Sequence, residues 1–329
     1  MAERSAIEWC DATVNFWWGC TKVSPGCDNC YAEDWNRFRG NGVWGLGAER
    51  RKIKGAVALI RRLQRSAANF RAVHGRTLRV FMQSMSDTFD NEVDDAWRAE
   101  LFAEAEAADH LAIILLTKRG SNVAKMVPAH WLDGGWPKHI GLKFTMTDQI
   151  EAERDAERLA KLKKRLGIPW TGVSIEPMLG PINPRRLRVS RDLYFDALTG
   201  VYSVNPCRAH RPPAIPEPLP GLDWVIVGGE SGKKARPLHP AWASNLRRQC
   251  RDTGTAFLFK QWGEWLPASA VDRDDMQCFR KVETIELPAD PSPFAVMHLD
   301  IMTMYRVGKA DAGRLLDSRE FLEFPEALR

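Results

Sequence analysis

Short apolar runs alternate with longer amphipathic stretches along most of the chain, at a spacing of about thirty residues, the length of one β–α unit. Runs that are apolar throughout are typical of strands buried on both faces of a sheet. The predicted strands lie at 13–17, 78–83, 111–116, 139–144, 170–175, 224–227 and 256–259. The stretches between them predict helices at 94–108, 149–166 and 242–252.

Strands that alternate with helices imply a parallel sheet. The pattern therefore predicts an α/β fold, a partial or open TIM-type (β/α) barrel with about six or seven parallel strands. We assign the barrel to residues 1–265, with a Pro- and Arg-rich insertion at 183–221 that predicts a hairpin at 191–204. Residues 266–329 form a C-terminal extension that packs on the barrel, with a strand predicted at 294–298 and a helix at 309–316.

Polar residues follow the apolar runs at the points where the predicted strands end. In TIM-type folds the chemistry takes place at the carboxyl ends of the strands. We therefore expect one shared pocket mouth that contains these strand-end residues. They are, in chain order, Ser84, Asp87, Lys118, Arg119, Thr145, Ser174, Glu176, Gly228, Gly229, Glu230 and Lys260.

Three cysteines lie close together before the second predicted strand. Cys20 and Cys27 are separated by six residues, and Cys27 and Cys30 by two. Pro25 and Gly26 predict a turn that folds the longer interval back on itself. Zinc and iron–sulfur clusters are the usual occupants of such a set of thiols.

A fourth protein ligand is not evident near these three thiols. Cys10 precedes a predicted strand, and the nearest histidine in sequence is His74. Three ligands and one open position are typical of a working metal centre rather than a structural one. A structural zinc site completed by Cys10 or by a distant histidine remains the alternative.

The amino-acid composition limits the classes of protein to which the chain can belong. The 44% apolar and 27% charged residues are typical of a soluble globular protein, and no apolar run approaches a membrane span. Seven cysteines make an odd number without the spacing of a disulfide framework. We therefore expect a cytoplasmic protein that has no membrane partner.

The net charge of +5 is unevenly distributed. Residues 35–79 contain twelve Lys and Arg against one acid, and residues 80–110 contain nine acids against Arg98. A basic block of this size attracts phosphate backbones. The other interpretation is a solvated helix face that the following acidic helix neutralises.

The cysteine loop resembles that of a known enzyme class. The segments Asn15-Phe-Trp-Trp-Gly-Cys20 and Gly26-Cys27-x-x-Cys30-Tyr-Ala are similar to the cluster loop of radical S-adenosylmethionine enzymes, especially those related to spore photoproduct lyase. Those enzymes commonly have three residues between the first two cysteines and an aromatic residue where Asn29 stands here. The whole chain resembles an uncharacterised phage-type three-cysteine-motif family with radical-enzyme-like features. The resemblance includes Ser84-Met-Ser-Asp87, Leu116-Thr-Lys-Arg119, Ser174-Ile-Glu-Pro177 and Val227-Gly-Gly-Glu-Ser231.

The resemblance implies that Cys20, Cys27 and Cys30 hold a [4Fe–4S] cluster. It also implies that the protein binds S-adenosylmethionine, takes an electron from an external donor and generates a 5′-deoxyadenosyl radical. The cofactor-binding residues would be Ser84, Asp87, Thr145, Ser174, Glu176, Gly228, Gly229 and Glu230. The catalytic residues would be Glu176, Lys118 and Lys260.

The substrate expected from the basic block and the tryptophan-rich loop is a nucleic acid or a nucleotide, in DNA repair or base modification. The alternative from another class is a non-catalytic nucleic-acid-binding protein with a structural zinc or iron–sulfur site at the same cysteines.

Overall fold

The structure is a computed structural model that describes residues 1–40, 42–205, 213–271, 282–289 and 301–329. Its strands, β1 to β15 in chain order, are Ala12–Val14, Trp17–Trp18, Arg51–Lys52, Leu78–Met82, Leu111–Thr117, Ile140–Thr145, Thr171–Ile175, Leu187–Arg188, Leu193–Asp196, Val201–Val204, Trp224–Gly228, Ala256–Gln261, Trp265–Pro267, Thr284–Pro288 and Ile301–Arg306. Its helices, α1 to α7, are Tyr31–Phe38, Ala56–His74, Asp95–Ala107, Val123–Met126, Gln149–Leu166, Pro240–Thr253 and Lys309–Ala312.

The main sheet has seven parallel strands in the order β1-β4-β5-β6-β7-β11-β12. Its registers include Ala12 opposite Val80, Leu78 opposite Leu111, and Trp224 opposite Ala256. Helices flank this sheet. The protein therefore has an open TIM-type α/β fold, and the predicted fold class is confirmed.

The chain divides into two compact units. The first contains Met1–Thr145, Arg158–Gly172 and Pro325–Arg329, and the second contains Met146–Glu157 and Val173–Phe324.

In the first unit, the long helix α2 packs on β1, β4 and β5 and on α3. Leu59, Ile60, Leu63 and Ala67 are its buried positions, at the three- and four-residue spacing of one helix face. The helix ends at Gly75, which has the left-handed conformation that favours glycine (φ 68°). The sequence pattern predicts only a basic block over this stretch, because its arginines obscure the apolar stripe.

The basic block is largely neutralised within the first unit. Arg61 of α2 forms an ion pair with Glu104 of α3, and Lys52 lies 2.9 Å from Glu100 of the same acidic helix. The interpretation as a solvated helix face facing an acidic helix therefore describes α2 well.

The predicted N-terminal strand at 13–17 is two short strands. The chain leaves the sheet after Val14, because the side chain of Asn15 accepts a hydrogen bond from the amide of Met85 at 2.8 Å. The amide of Phe16 then donates to Oε1 of Gln83 at 2.6 Å, and Trp17–Trp18 pairs with Arg51–Lys52 instead. Side chains after β4 thus terminate β1.

In the second unit, β11 pairs with β12, and α6 packs on β12. The hairpin predicted at 191–204 is confirmed as the antiparallel pair β9 and β10. The strand predicted at 294–298 lies outside the described residues, and the predicted C-terminal helix is only the short α7, which ends at Gly313. No helix in the described ranges is both long enough and apolar enough to cross a membrane.

Candidate functional site

The three cysteines lie in the first unit, on the segment between β2 and α1, which we call the cysteine loop (residues 19–30). Pro25–Cys27 forms a 3-10 turn in which the amide of Cys27 donates to the carbonyl of Ser24 at 2.9 Å. Cys30 is the N-cap residue of α1. The turn predicted from Pro25 and Gly26 is therefore present.

The cysteine loop starts at the carboxyl edge of β1 and β4. Gly19 forms a parallel bridge to Ser86, which follows β4, and Oγ of Ser86 donates to the carbonyl of Trp17 at 3.1 Å. The hydroxyl of Tyr31 donates to the carbonyl of Ser84 at 2.5 Å. Both ends of the loop are thus attached to the segment after β4, at the edge where TIM-type folds carry their chemistry.

Cys10 and His74 lie at the opposite edge of the same strands. The amide of Asp11 donates to the carbonyl of Arg79 at 2.9 Å, so Cys10 is level with the start of β4. His74 ends α2, just before β4 begins. The five residues of β4 span about 16 Å, which separates both side chains from the cysteine loop. Neither is placed to complete a tetrahedral site there.

The thiol of Cys30 accepts hydrogen bonds at the start of α1. Burial raises the pKa of this thiol, while the backbone amides of Glu33 and Ala32 and the charge of Lys118 oppose the rise. Cys27 lies close enough to Cys30 to affect its ionisation. The amide donors and the nearby cation stabilise the thiolate that ligation requires, but burial outweighs them and the pKa stays above its usual value.

The thiol of Cys20 lies against a buried arginine. Nη1 of Arg119 is 3.5 Å from Sγ of Cys20, and Nη2 donates to the carbonyl of Thr21 at 2.8 Å. Burial, with Asp87 next, raises the pKa of Cys20 to about 12, although Arg119 opposes the rise. The thiol is therefore protonated at neutral pH, and binding of a metal to it would release a proton.

Asp87 organises the carboxyl ends of β4 and β5 beside Cys20. Its carboxylate accepts hydrogen bonds from Oγ1 of Thr117 at 2.7 Å and from the amide of Lys118 at 3.0 Å. Arg119 contributes a further contact at 3.5 Å. This carboxylate is thus occupied by donors from its own unit.

A second arginine ties the cysteine loop to the same edge. Nε of Arg50 donates to Asp90 at 2.8 Å, and the side chains of both residues are only 1% exposed. The guanidinium also contacts Glu92 at 2.5 Å and Oγ1 of Thr21 at 2.7 Å. Asp90 is shared with Arg119, at 3.4 Å. We call Arg50, Asp87, Asp90 and Arg119 the arginine network.

The three thiols of the described cysteine loop do not form a ready-made metal site. Among the described residues, no group of three or more Cys, His, Asp or Glu side chains is arranged to hold a metal ion. Cys27 is close enough to Cys30 to raise its pKa, whereas Cys20 lies beside Asp87 and Arg119 of the arginine network. The assignment of all three cysteines to one metal centre therefore stays a prediction.

In the second unit, the structure brings together Ser174, Glu176 and Lys260. Oγ of Ser174 donates to Oε2 of Glu176 at 2.7 Å, and Nζ of Lys260 lies 2.9 Å from Oε1. Glu176 follows β7 and Lys260 belongs to β12, with β11 between these two strands in the sheet. The ion pair therefore reaches across β11.

Gly228, the last residue of β11, leaves room for the ion pair between Glu176 and Lys260. A Cβ atom at position 228 would lie 2.9 Å from Oε1 of Glu176, so the carboxylate occupies the space that a side chain would take. The next residue, Gly229, is more tightly constrained, because its Cβ atom would lie 1.8 Å from the backbone carbonyl oxygen of Trp262. The sequence predicts that Gly228 and Gly229 let a cofactor approach the backbone closely. In the structure, atoms of Glu176 and Trp262 occupy the space beside the two glycines.

Glu230 also has a partner within the second unit. Its carboxylate is buried and accepts hydrogen bonds from the guanidinium of Arg236 at 2.7 and 2.9 Å and from the amide of Arg236 at 2.8 Å. Arg236 is not predicted from the sequence, because nothing in its local pattern distinguishes it from other arginines. The same holds for Arg50, which lies beside the exposed Arg51.

The remaining predicted residues occupy strand ends as expected. Oγ of Ser84 accepts a hydrogen bond from Nδ2 of Asn15 at 3.0 Å, in the first unit. Thr145 is buried where β6 ends. Lys118, immediately after β5, lies near Cys30. The roles assigned to these residues stay predictions.

The fold and this site define an open TIM-type α/β protein with a three-cysteine loop at the carboxyl edge of its sheet. The chain belongs to the family described as "Protein of unknown function (DUF5131)", whose sequence profile matches residues 4–325. No curated protein and no solved structure matches the chain.

Proposed function

We propose that this protein is an iron–sulfur enzyme of the radical S-adenosylmethionine type, in which Cys20, Cys27 and Cys30 hold a [4Fe–4S] cluster. The observation that carries the proposal is the position of the cysteine loop. Its thiols lie on one segment at the carboxyl edge of a parallel sheet, with a guanidinium and backbone amides directed at sulfur atoms.

The donor set fits a three-thiolate cluster. Cys20, Cys27 and Cys30 are all free cysteines. N–H donors on the sulfur atoms of Cys20 and Cys30 are the contacts that tune such clusters. Among the described residues, no group of three or more side chains is already arranged to hold a metal ion, so loading of a cluster has to bring the three thiols together.

When bound, a cluster with three thiolate ligands would leave one iron open to S-adenosylmethionine and, once an external donor had reduced it, would supply the electron that cleaves the sulfonium. The residues of this chain position the site. Arg119 and Arg50 hold the first part of the cysteine loop, and Lys118 places a positive charge near Cys30.

Glu176 and Lys260, in the second unit, are the proposed acid–base groups. Ser174 and Lys260 both contact the carboxylate of Glu176, which fixes its orientation. Lys260 and Lys118 would bind phosphate or carboxylate groups of a nucleic acid or nucleotide. In the first unit, Ser84, Asp87 and Thr145 are the proposed contacts of the cofactor. In the second unit, Gly228, Gly229 and Glu230 already contact Glu176, Trp262 and Arg236 of the protein itself.

The test is anaerobic reconstitution of the full chain with iron and sulfide, followed by S-adenosylmethionine and dithionite. We expect about four irons per chain and formation of 5′-deoxyadenosine. Cys20→Ala, Cys27→Ala and Cys30→Ala should each abolish the product and lower the iron content.

The matched control is Cys10→Ala, since Cys10 is buried at the opposite edge of β1, where its thiol donates to Oγ of Ser5 at 3.4 Å. It should retain iron and product. An iron content that is unaffected by the three loop substitutions, or a protein that binds iron but forms no deoxyadenosine, would contradict the proposal.

A second candidate function is a non-catalytic nucleic-acid-binding protein with a structural zinc or iron–sulfur site at the same loop. The exposed arginine and aromatic side chains beside the loop favour this candidate. It requires a fourth ligand, which Cys10 and His74 are not placed to supply. One tightly bound zinc per chain, with no deoxyadenosine formed, would support this candidate in the same experiment.

A further inference from the structure

Two arginine and two tryptophan side chains form a row beside the cysteine loop, in the order Arg39, Trp35, Trp18 and Arg51. Arg39 lies over the ring of Trp35 at 4.8 Å, and Arg51 over the ring of Trp18 at 4.4 Å. The two tryptophans contact each other edge to face, with ring centroids 5.0 Å apart. We call these four residues the Arg–Trp ladder. All of them belong to the first unit.

Cation–π contacts hold both guanidinium groups over indole rings. The planar set of N–H groups of a guanidinium matches the geometry of a phosphate. Arg39 and Arg51 are exposed on the surface. The ladder therefore presents two cationic groups to solvent.

Exposed aromatic rings continue from the ladder along α1. Tyr31, Trp35 and Phe38 follow the four- and three-residue spacing of one helix face, and they are 56%, 36% and 86% exposed. They extend over seven residues of helix, about 10 Å. A helix that turns three aromatic residues to solvent leaves apolar surface that a ligand can cover.

This surface differs from the basic helix α2. The arginines of α2 include Arg61, which is paired with Glu104, and Arg62, which is paired with Glu3. Arg37 of α1 is held by Glu33 and Asp34 and is not counted in the ladder. Charge and aromatic surface thus coincide at the ladder rather than along the basic block as a whole.

We infer that the Arg–Trp ladder and the exposed rings of Tyr31 and Phe38 bind a single-stranded segment of nucleic acid. The arginines contact phosphates, and the rings stack on bases, as in other proteins that bind single strands. A duplex keeps its bases stacked inside and cannot use the rings. Trp18 precedes Cys20 by two residues and Tyr31 follows Cys30 directly, so the strand lies along the cysteine loop. The inference deepens the proposed function, because it specifies the substrate class and where it binds.

The experiment is fluorescence anisotropy of a labelled 20-nucleotide oligothymidylate with the full chain, over a range of salt concentrations. The double variant Arg39→Gln/Arg51→Gln should lower the slope of log affinity against log salt by about 1.4, for two phosphate contacts at about 0.7 each. Phe38→Ala should weaken binding at least about fivefold, and Phe38→Trp should restore it.

The matched control is Arg61→Gln/Arg62→Gln, which removes the same charge from the two paired arginines of α2. It should leave the salt slope unchanged and the affinity within about twofold. The inference is overturned if the oligonucleotide does not bind, if this control weakens binding as much as the ladder variant, or if Phe38→Ala binds like the unmodified protein. Equal affinity for a duplex, or equal displacement by polyglutamate, would also overturn it.

The two experiments distinguish failure of the proposed enzyme function from failure of the proposed nucleic-acid surface. Deoxyadenosine formation that depends on the cysteines, without binding of the oligonucleotide, would refute the ladder surface and leave the enzyme. Oligonucleotide binding that depends on the ladder, without a cluster, would refute the enzyme and leave the surface.

Discussion

The two clusters of strand-end residues are stabilised in opposite ways. In the first unit, Arg50, just before β3, and Arg119, just after β5, reach the acids that follow β4, and the arginine network holds the cysteine loop in place. In the second unit, the carboxylate of Glu176 lies over a strand because Gly228 has no side chain. The cluster in the first unit depends on long charged side chains, and the cluster in the second unit depends on the lack of a side chain at Gly228. Substitutions should therefore affect the two clusters differently.

The largest expected effect is in the arginine network. Arg50→Ala removes the buried partner of Asp90 and should lower the free energy of unfolding by about 3–5 kcal/mol, because an unpaired charge is left in the interior. Thermal and urea unfolding measure this. Arg61→Ala, which breaks an exposed pair, is the matched control and should cause no measurable change. A tolerated Arg50→Ala would show that the loop is held by other contacts.

The next effect distinguishes the two adjacent glycines of the second unit. Gly229→Ala places a methyl group against the backbone carbonyl of Trp262 and should destabilise the protein by about 3 kcal/mol. Gly228→Ala meets only the end of the Glu176 side chain, which can move. It should cost about 1 kcal/mol and separate Glu176 from Lys260. Equal losses of stability in the two variants, by urea unfolding, would contradict this assignment.

The smallest effect tests a third kind of contact, the partly exposed ion pair at the amino edge of the first unit. Burial raises the pKa of Asp11, but hydrogen bonds from Arg76 and from the amide of Arg79 outweigh it and hold the pKa below its usual value. A lowered carboxyl pKa contributes stability that is present above the unfolded pKa of about 3.9 and is lost as the pH falls through the folded pKa.

Asp11→Asn should therefore destabilise the protein by about 1 kcal/mol at pH 7, a value limited by solvent screening. The difference from the unmodified protein should shrink as the pH falls from about 5 to 3. Urea unfolding across this range measures it. A difference that stays constant with pH would show that the pair contributes no charge-dependent stability.

The regular part of the fold could be predicted because each signal is local. The run at 111–116 is apolar throughout and forms β5, and the stretch at 149–166 coincides with α5, which ends before Gly167. The end of β1 could not be predicted, because it depends on Asn15 and Gln83, whose hydrogen-bond partners lie about seventy residues away in sequence.

The candidate site was predictable as a set of residues at strand ends, but not as a set of contacts. A glycine pair indicates that some atom comes close, and the sequence does not say whether it belongs to a cofactor or to Glu176. In the same way, Arg50 and Arg51 are neighbours in one basic run, yet Arg50 is buried against Asp90 and Arg51 is exposed on Trp18. Long-range packing decides between such residues.

The contact between Cys20 and Arg119 has a consequence for synthesis of the chain. The two residues are 99 positions apart, and a ribosome adds about 5–20 residues per second. For several seconds, each new chain therefore carries its three thiols without the guanidinium that later covers one of them. Any metal or oxidant that the nascent chain meets in that interval reaches the cysteines before the protein has formed its own protection for them.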